Sequence, residues 1–274
     1  MINSYQPQLA KIIKIKNENP IIKSFDLKFV QPKMQHDFGF IPGQFIEVGI
    51  AGFGEAPFAL CSSPTEKNYF SIAVQRIGPL TERLHRCKAG ETLWIRGPFG
   101  RGFPEIKEKV ILIAGGSGLI PFSSLIKQHL AEKTAGQLML LCGGRQKNDL
   151  IFSQRFSVWQ RGGLKLHLIL EKKEKDWTGP VGLLPDLVSQ VLGGADYEAK
   201  LTKAIICGPA QMYQSILRSL FNLGFKDENI YLSLERRMHC GIGICQHCAI
   251  GSKYICKDGP VFVWSEIKDI AGVI

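Results

Sequence analysis

The chain has 274 residues, enough for two domains with cores of their own. Its composition, 45% hydrophobic and 21% charged, is that of a globular protein and excludes a disordered or fibrous one. The net charge of +10 invites a nucleic-acid reading, but no basic run interleaved with aromatics accompanies it. The densest charge patch, Glu171–Lys175, mixes signs. The excess charge suits anionic cofactors and an acidic partner. The most apolar stretch, 110–126, holds three glycines and a proline and is too short to span a bilayer. The first twenty residues lack the order of a signal peptide, so a cytoplasmic protein without a membrane span is expected.

In chain order, the first hundred residues read as short strands. Leu9–Lys16 and Ile21–Val30 are β-branched runs separated by a turn rich in Asn, Glu and Pro. Gln44–Ala51, Phe58–Ser62, Tyr69–Arg76 and Thr92–Gly97 follow, with one helix over Leu80–Cys87. Strands punctuated in this way predict a small antiparallel β-barrel of Greek-key type. The pattern changes near Pro104. Lys109–Ala114 is a continuous apolar run, as in a strand buried on both faces. A helix over Leu119–Lys133 follows, then alternating elements: a strand at Gln137–Cys142, a helix near Leu150–Gln160 and a strand at Lys165–Leu170. The alternation continues with a helix near Leu183–Leu192, a strand at Lys203–Cys207, a helix over Ala210–Leu223 and a strand at Asn229–Leu234. It predicts an α/β doubly wound parallel sheet. The expected boundaries are 1–103, 104–236 and a C-terminal segment, 237–274.

That segment carries Cys240, Cys245, Cys248 and Cys256, spaced C-x4-C-x2-C-x7-C. The first three match the spacing of plant-type [2Fe–2S] sites. Glycines at 241, 243 and 251 supply positive-φ turns and let backbone N–H groups approach cluster sulfurs. Four basic residues and no acidic one lie between Arg236 and Lys257, a surround that suits an anionic cluster. Zinc also accepts four thiolates, usually from two C-x2-4-C pairs, and His239 or His247 could stand in for one, so spacing favours iron–sulfur and leaves zinc open. Cys61, Cys87, Cys142 and Cys207 are scattered among apolar residues and read as small core residues.

Two loops at strand ends carry nucleotide chemistry. Ala114-Gly-Gly-Ser-Gly-Leu-Ile-Pro121 joins a strand to a helix, and glycines there let amides reach a pyrophosphate. Pro121 takes the place of the third glycine of G-x-G-x-x-G, and the first turn of a helix tolerates it. After the second strand, Arg145 and Lys147 stand where an NAD site shows an acid, which tilts the reading towards NADP. Exposed basic loop residues are the plain alternative. Cys207-Gly208-Pro209 ends another strand, where Cys207 could lie against a nicotinamide or simply be a buried thiol.

In this order, the glycine turn at 115–121, the Cys-Gly-Pro at 207–209 and the cysteine segment resemble the ferredoxin–NADP reductase superfamily. Within it, the chain is similar to electron-transfer subunits with a C-terminal [2Fe–2S] cluster. Leu234-Glu-Arg-Arg-Met-His-Cys through Phe262 most resembles the gamma subunits of NAD(P)-linked nickel–iron hydrogenases (sulfhydrogenases). It is nearly as similar to the NADH-linked subunit of anaerobic sulfite reductase, and the group includes the dihydroorotate dehydrogenase electron-transfer subunit. The resemblance implies FAD in the barrel, NADP(H) or NAD(H) as substrate, and electrons relayed singly by the cluster to or from the catalytic and iron–sulfur subunits of a hetero-oligomeric complex. It assigns FAD to Pro57, Phe58, Ala59, Leu60 and Ser62, where the family's Arg-Pro-Tyr-Ser reads Ala56-Pro-Phe-Ala59, and to Gly78, Leu80 and Thr81. It assigns the nucleotide to Gly115, Gly116, Gly118, Pro121, Arg145, Cys207, Gly208 and Pro209, with Glu235 close to the nicotinamide or flavin. The loss of the family arginine at Ala56 removes one charge expected to face the pyrophosphate. A zinc-stabilised nucleotide-binding interaction protein is the reading from another class.

Overall fold

The computed structural model describes residues 5–193 and 202–274. The described residues divide into two compact units. One comprises Met1–Phe103, Ser123–Gln128 and Glu235–Val261; the other comprises Pro104–Phe122, His129–Leu234 and Phe262–Ile274. The C-terminal stretch expected as one segment is thus divided after Val261.

In the first unit, β1 (Gln8–Asn19), β2 (Ile22–Phe29), helix α1 (Pro32–Asp37), β3 (Phe45–Ile50) and β4 (Gly54–Ala59) precede β5 (Phe70–Gln75), α2 (Pro79–Arg86) and β6 (Thr92–Phe99). The strands form one antiparallel sheet in the order β4-β3-β6-β1-β2-β5. A bridge from Leu60 to Ile72, with the Cys61 amide donating to the Ser71 carbonyl at 2.8 Å, ties the two ends together and gives the barrel its closure. Side chains alternate in and out, so Ala10, Ile12, Phe25, Leu27, Ile46, Val48 and Ile95 fill the interior. Phe29, Phe38 and Phe70 pack ring to ring, their centroids 4.8–5.1 Å apart.

Two elements differ from expectation here. The strand expected at Phe58–Ser62 runs instead over Gly54–Ala59, because an end strand of the sheet order tolerates Pro57. Helix α1 was not foreseen: it is a short segment opened by Pro32 at its first position.

In the second unit, β7 (Val110–Gly115) leads through a 3-10 turn to α3 (Leu119–Ala131), followed by β8 (Leu138–Gly144), α4 (Phe156–Arg161), β9 (Lys165–Leu170) and α5 (Leu184–Leu192). After these come β10 (Lys203–Cys207), α6 (Ala210–Asn222) and β11 (Ile230–Ser233). Next in the chain, the small strands β12 (Ala249–Ile250) and β13 (Lys253–Tyr254) and α7 (Ile255–Asp258) belong to the first unit, and β14 (Val261–Val263) and α8 (Trp264–Ile267) follow them. The main sheet has the order β14-β11-β10-β7-β8-β9, and β9, β8, β7, β10 and β11 are parallel. Every residue of β7 is buried, as in a central strand covered on both faces. The chain order reverses between β7 and β10, the place where open α/β sheets leave a crevice at their carboxyl edge. Helix α4 is shorter than the expected Leu150–Gln160. Phe152 adopts φ of 60° to become fully buried, and this left-handed residue interrupts the helix before it starts.

Candidate functional site

Around the expected flavin contacts, Pro57, Phe58 and Ala59 lie half-buried on β4, while Leu60 and Ser62 are buried. Ser62 Oγ accepts the Ser71 amide at 3.0 Å, so it serves the barrel closure first. Thr81 is also committed to structure. Its Oγ1 accepts the amides of Ile77 and Gly78, each at 2.9 Å, and its hydroxyl donates to the Gly78 carbonyl. Pro79 has no N–H, and Gly78 donates to Thr81, so the amides at the start of α2 that can face an anion are those of Leu80 and Thr81. Thr81 shapes the turn and Leu80 fills the core behind it.

The two strand-end loops of the parallel sheet come together at the reversal point. A side chain on Gly118 would stand 2.0 Å from the Cys207 carbonyl oxygen, and one on Gly115 would meet Met212 Sδ at 2.6 Å. Glycine is therefore a packing requirement at 118, where the obstacle is backbone, whereas at 115 the obstacle is the flexible end of a methionine. Gly116 has φ of 51° and open space above it, leaving backbone that a ligand can approach. Pro121 is buried in the first turn of α3. Gly208, with φ of 156°, lets its loop pass under Met212, and Cys207 is buried beside it. Tyr213 donates its hydroxyl to the Ser233 carbonyl at 2.5 Å and fixes α6 to the end of β11. Glu235, just beyond β11, is exposed.

The basic loop after β8 holds a residue that the sequence reading passed over. Asp149 accepts both the amide and Nε of Arg145 at 3.1 Å. A cation suited to a 2′-phosphate and a carboxylate suited to a ribose hydroxyl thus stand together, and the tilt towards NADP loses its footing. Lys147 Nζ donates to the Lys175 carbonyl at 2.7 Å. A turn closing back through a side chain four residues on was the available signal for Asp149.

The cysteine segment is a loop of tight turns. Gly241, Gly243, Gly251 and Gln246 all have positive φ, and β12 and β13 pair as a short hairpin. Four consecutive amides aim at two sulfurs. Ile242, Ile244 and Cys245 donate to Cys240 Sγ at 3.4–3.5 Å, and Gly243 donates to Cys256 Sγ at 3.1 Å. Burial works to raise the Cys240 thiol, but these amides outweigh it and hold it below its ordinary value. The His247 amide foremost lowers Cys245, whereas burial and the Cys248 thiol push Cys256 up to about 12. Such sulfur-directed amides are the donors that an anionic thiolate cluster needs. Cys248 and Cys256 are buried, and Cys240 and Cys245 are half-buried. His239 and His247 are exposed and stack edge to face on each other, 4.2 Å between centroids. Among the described residues, no three His, Cys, Asp or Glu side chains are gathered tightly enough to hold one metal ion. The fit to a cluster is therefore carried by the donor set and its amides, not by a preformed cage.

Beneath this loop, β3 and β6 present Glu47 opposite Arg96 in register. Arg96, 8% exposed, grips Glu55 with Nε at 3.1 Å and Nη2 at 2.5 Å, and its Nη1 donates to the Cys240 carbonyl at 2.9 Å. Glu47 is 1% exposed and neither carboxyl oxygen has a hydrogen-bond partner. Burial, then the neighbouring Glu55, pushes its carboxyl up to about 8, so it is largely uncharged at neutral pH. Sequence reading missed all three, because nothing in a strand pattern announces which outward-facing polar residues another segment will cover.

Comparison with known proteins adds three family matches. The oxidoreductase FAD-binding domain matches residues 10–103, the oxidoreductase NAD-binding domain 112–218, and the iron–sulfur cluster binding domain of dihydroorotate dehydrogenase B 235–268. Sulfhydrogenase 2 subunit gamma of Pyrococcus furiosus is 35% identical over 100% of both chains. A Methanocaldococcus jannaschii protein named "Probable dihydroorotate dehydrogenase B (NAD(+)), electron transfer subunit" is 32% identical over 97% of this chain and 93% of its own. Among solved structures, an NADH-dependent reduced ferredoxin–NADP oxidoreductase described for flavin-based electron bifurcation shares the fold. Its TM-score is 0.75 at 22% identity, over 98% of this chain and 93% of that one. A ferredoxin–NADP+ reductase from Neisseria gonorrhoeae, with bound FAD and NADP, has a TM-score of 0.70 at 19% identity, over 83% and 98%.

Proposed function

Because the chain belongs to the family that includes sulfhydrogenase gamma subunits and dihydroorotate dehydrogenase B electron-transfer subunits, we propose that it is the NAD(P)H-linked electron-transfer subunit of a larger redox complex. Its FAD-binding, NAD-binding and iron–sulfur domains would hold the cofactors, FAD supplying paired electron exchange with NAD(P)H when bound and the cluster single-electron relay. The observation that carries the reading is the cysteine loop. Its amides converge on Cys240 and Cys256, and Arg96 of the barrel holds the loop by its Cys240 carbonyl.

The residues have separable tasks. Cys240, Cys245, Cys248 and Cys256 hold the cluster, read as [2Fe–2S] from their spacing. The amides of Leu80 and Thr81 at the start of α2 face the flavin's phosphates, and the β4 residues Pro57–Ala59 supply backbone and apolar contact for its ring. Gly116 and its neighbours approach the nicotinamide nucleotide's pyrophosphate, Arg145 and Asp149 its adenosine ribose, and the loop at 207–209 its reacting end. The full-length match makes a nickel–iron hydrogenase of sulfhydrogenase type the partner of choice, with dihydroorotate dehydrogenase or sulfite reductase as the alternative complexes. The thiolate ligands suit a reducing cytoplasm.

Anaerobic purification followed by metal, sulfide and flavin analysis tests the reading. Two irons, two sulfides and one FAD per chain are expected, while one zinc with no iron or flavin would overturn it. In Cys245→Ser the cluster is expected to be lost while NAD(P)H still reduces a dye through the flavin. Loss of dye reduction with FAD still bound would show that the order of electron flow is wrong.

A further inference from the structure

We propose that Arg96 is the positioning residue for the iron–sulfur loop, and that the Arg96–Glu55 pair sets the charge felt at Cys240 from the outer face of the barrel. The inference rests on the reading of Cys240–Cys256 as cluster ligands. Arg96 is on β6 and Glu55 on β4, yet the guanidinium reaches across to hold that carboxylate with two N–H groups, a fork that fixes its plane. In that plane Nη1 points at the carbonyl of the first cysteine, at 2.9 Å. The Phe99 ring lies under the guanidinium, 5.5 Å from its centre to the ring centroid.

The loop sits flush on this platform. A side chain on Gly241 would stand 3.0 Å from Phe99 Cδ2 and 3.2 Å from Glu47 Cγ, and Gly241 has φ of 74°, so only glycine lets the backbone come so close. Arg96 attracts the carboxyl directly across from it by charge but makes no hydrogen bond to it. Glu47 is its register partner on β3, but both Glu47 oxygens are unbonded while Glu55 receives both N–H groups. The arrangement places one cation and one anion together beside a ligand carbonyl, with a buried acid beneath. A cluster becomes more negative on reduction, so a nearby cation favours its reduced form and a nearby anion opposes it. Arg96 and Glu55 therefore act with opposite sign.

That opposition gives the test. The full chain is purified anaerobically as wild type, Arg96→Gln, Arg96→Lys and Glu55→Gln. Iron and sulfide content, the spectrum of the reduced cluster and its midpoint potential are then measured. Arg96→Gln is expected to lower the midpoint, and Glu55→Gln to raise it, each by about a tenfold change in the one-electron equilibrium, about 59 mV. Arg96→Lys keeps the cation and is expected to lie nearer wild type than Arg96→Gln. A merely structural role would loosen the loop in both neutral variants and move both midpoints the same way. Shifts of one sign, or no shift in either variant, would overturn the inference. If Arg96→Gln fails to assemble a cluster, the other two variants decide: a raised midpoint in Glu55→Gln with the cluster retained in Arg96→Lys supports it, and anything else overturns it. A wild-type chain with zinc and no iron would remove the cluster reading and the inference together. A wild-type cluster indifferent to these variants would remove the inference alone.

Discussion

Glu47 shows how one residue links burial to pH. Its carboxyl is held at about 8 by burial, above the ordinary 4.5 that it regains on unfolding. An acid whose folded value is raised binds its proton more tightly in the folded state, so its cost is absent below about 4.5, grows as pH rises, and is complete above about 8. In that window Glu47→Gln is expected to remove a slope of about 1.4 kcal/mol per pH unit. Urea unfolding of both proteins at several pH values between 5 and 9 checks this. A constant difference between them across the window would show that Glu47 does not carry the proton. At this scale, the four cysteine positions and their turn glycines were legible in sequence, because ligand type and spacing are local properties. Arg96, Glu55 and Asp149 were not. Their roles arise from cross-strand register and from a turn folding back on itself, which put distant or unremarkable residues side by side.

Elements meet at strand ends, and there the proposed nucleotide site lies. The loops after β7 and β10 are in contact because these strands are sheet neighbours though far apart in sequence. Gly118→Ala places a methyl group 2.0 Å from the Cys207 carbonyl oxygen, too close to relax by side-chain motion alone. A loss of about 3 kcal/mol in stability is expected from such overpacking. NAD(P)H binding should weaken at the same time, because the loop amides are displaced. Denaturant melts and nucleotide titration of the variant check both, and wild-type values for the two would refute the close approach. The glycine turn itself was readable from the strand–helix pattern. The steric reason for this particular glycine was not, since its neighbour ends the adjacent strand, which is far away in sequence.

Across the whole molecule, each unit has its own ligand by family match, so each should respond to it. Adding FAD to flavin-depleted protein is expected to raise the unfolding midpoint, with stabilisation of about 2.7 kcal/mol at a hundredfold excess over Kd. Calorimetry over a FAD concentration series checks this, and a midpoint insensitive to FAD would deny the barrel its cofactor. Among the described residues no helix is long and apolar enough to cross a membrane.

The sequence by itself determined the order of barrel, parallel sheet and cysteine loop, and the spacing of the four thiols. Hydrophobic period, turn residues and cysteine spacing are all written along the chain. Only the tertiary structure decided that β4 runs through Pro57 and that Thr81 and Ser62 spend their hydroxyls on the fold. It alone set Asp149 beside Arg145, and a buried arginine under the first cysteine. Those outcomes depend on which strands become neighbours and in what register, and register is set by the packing of the whole sheet.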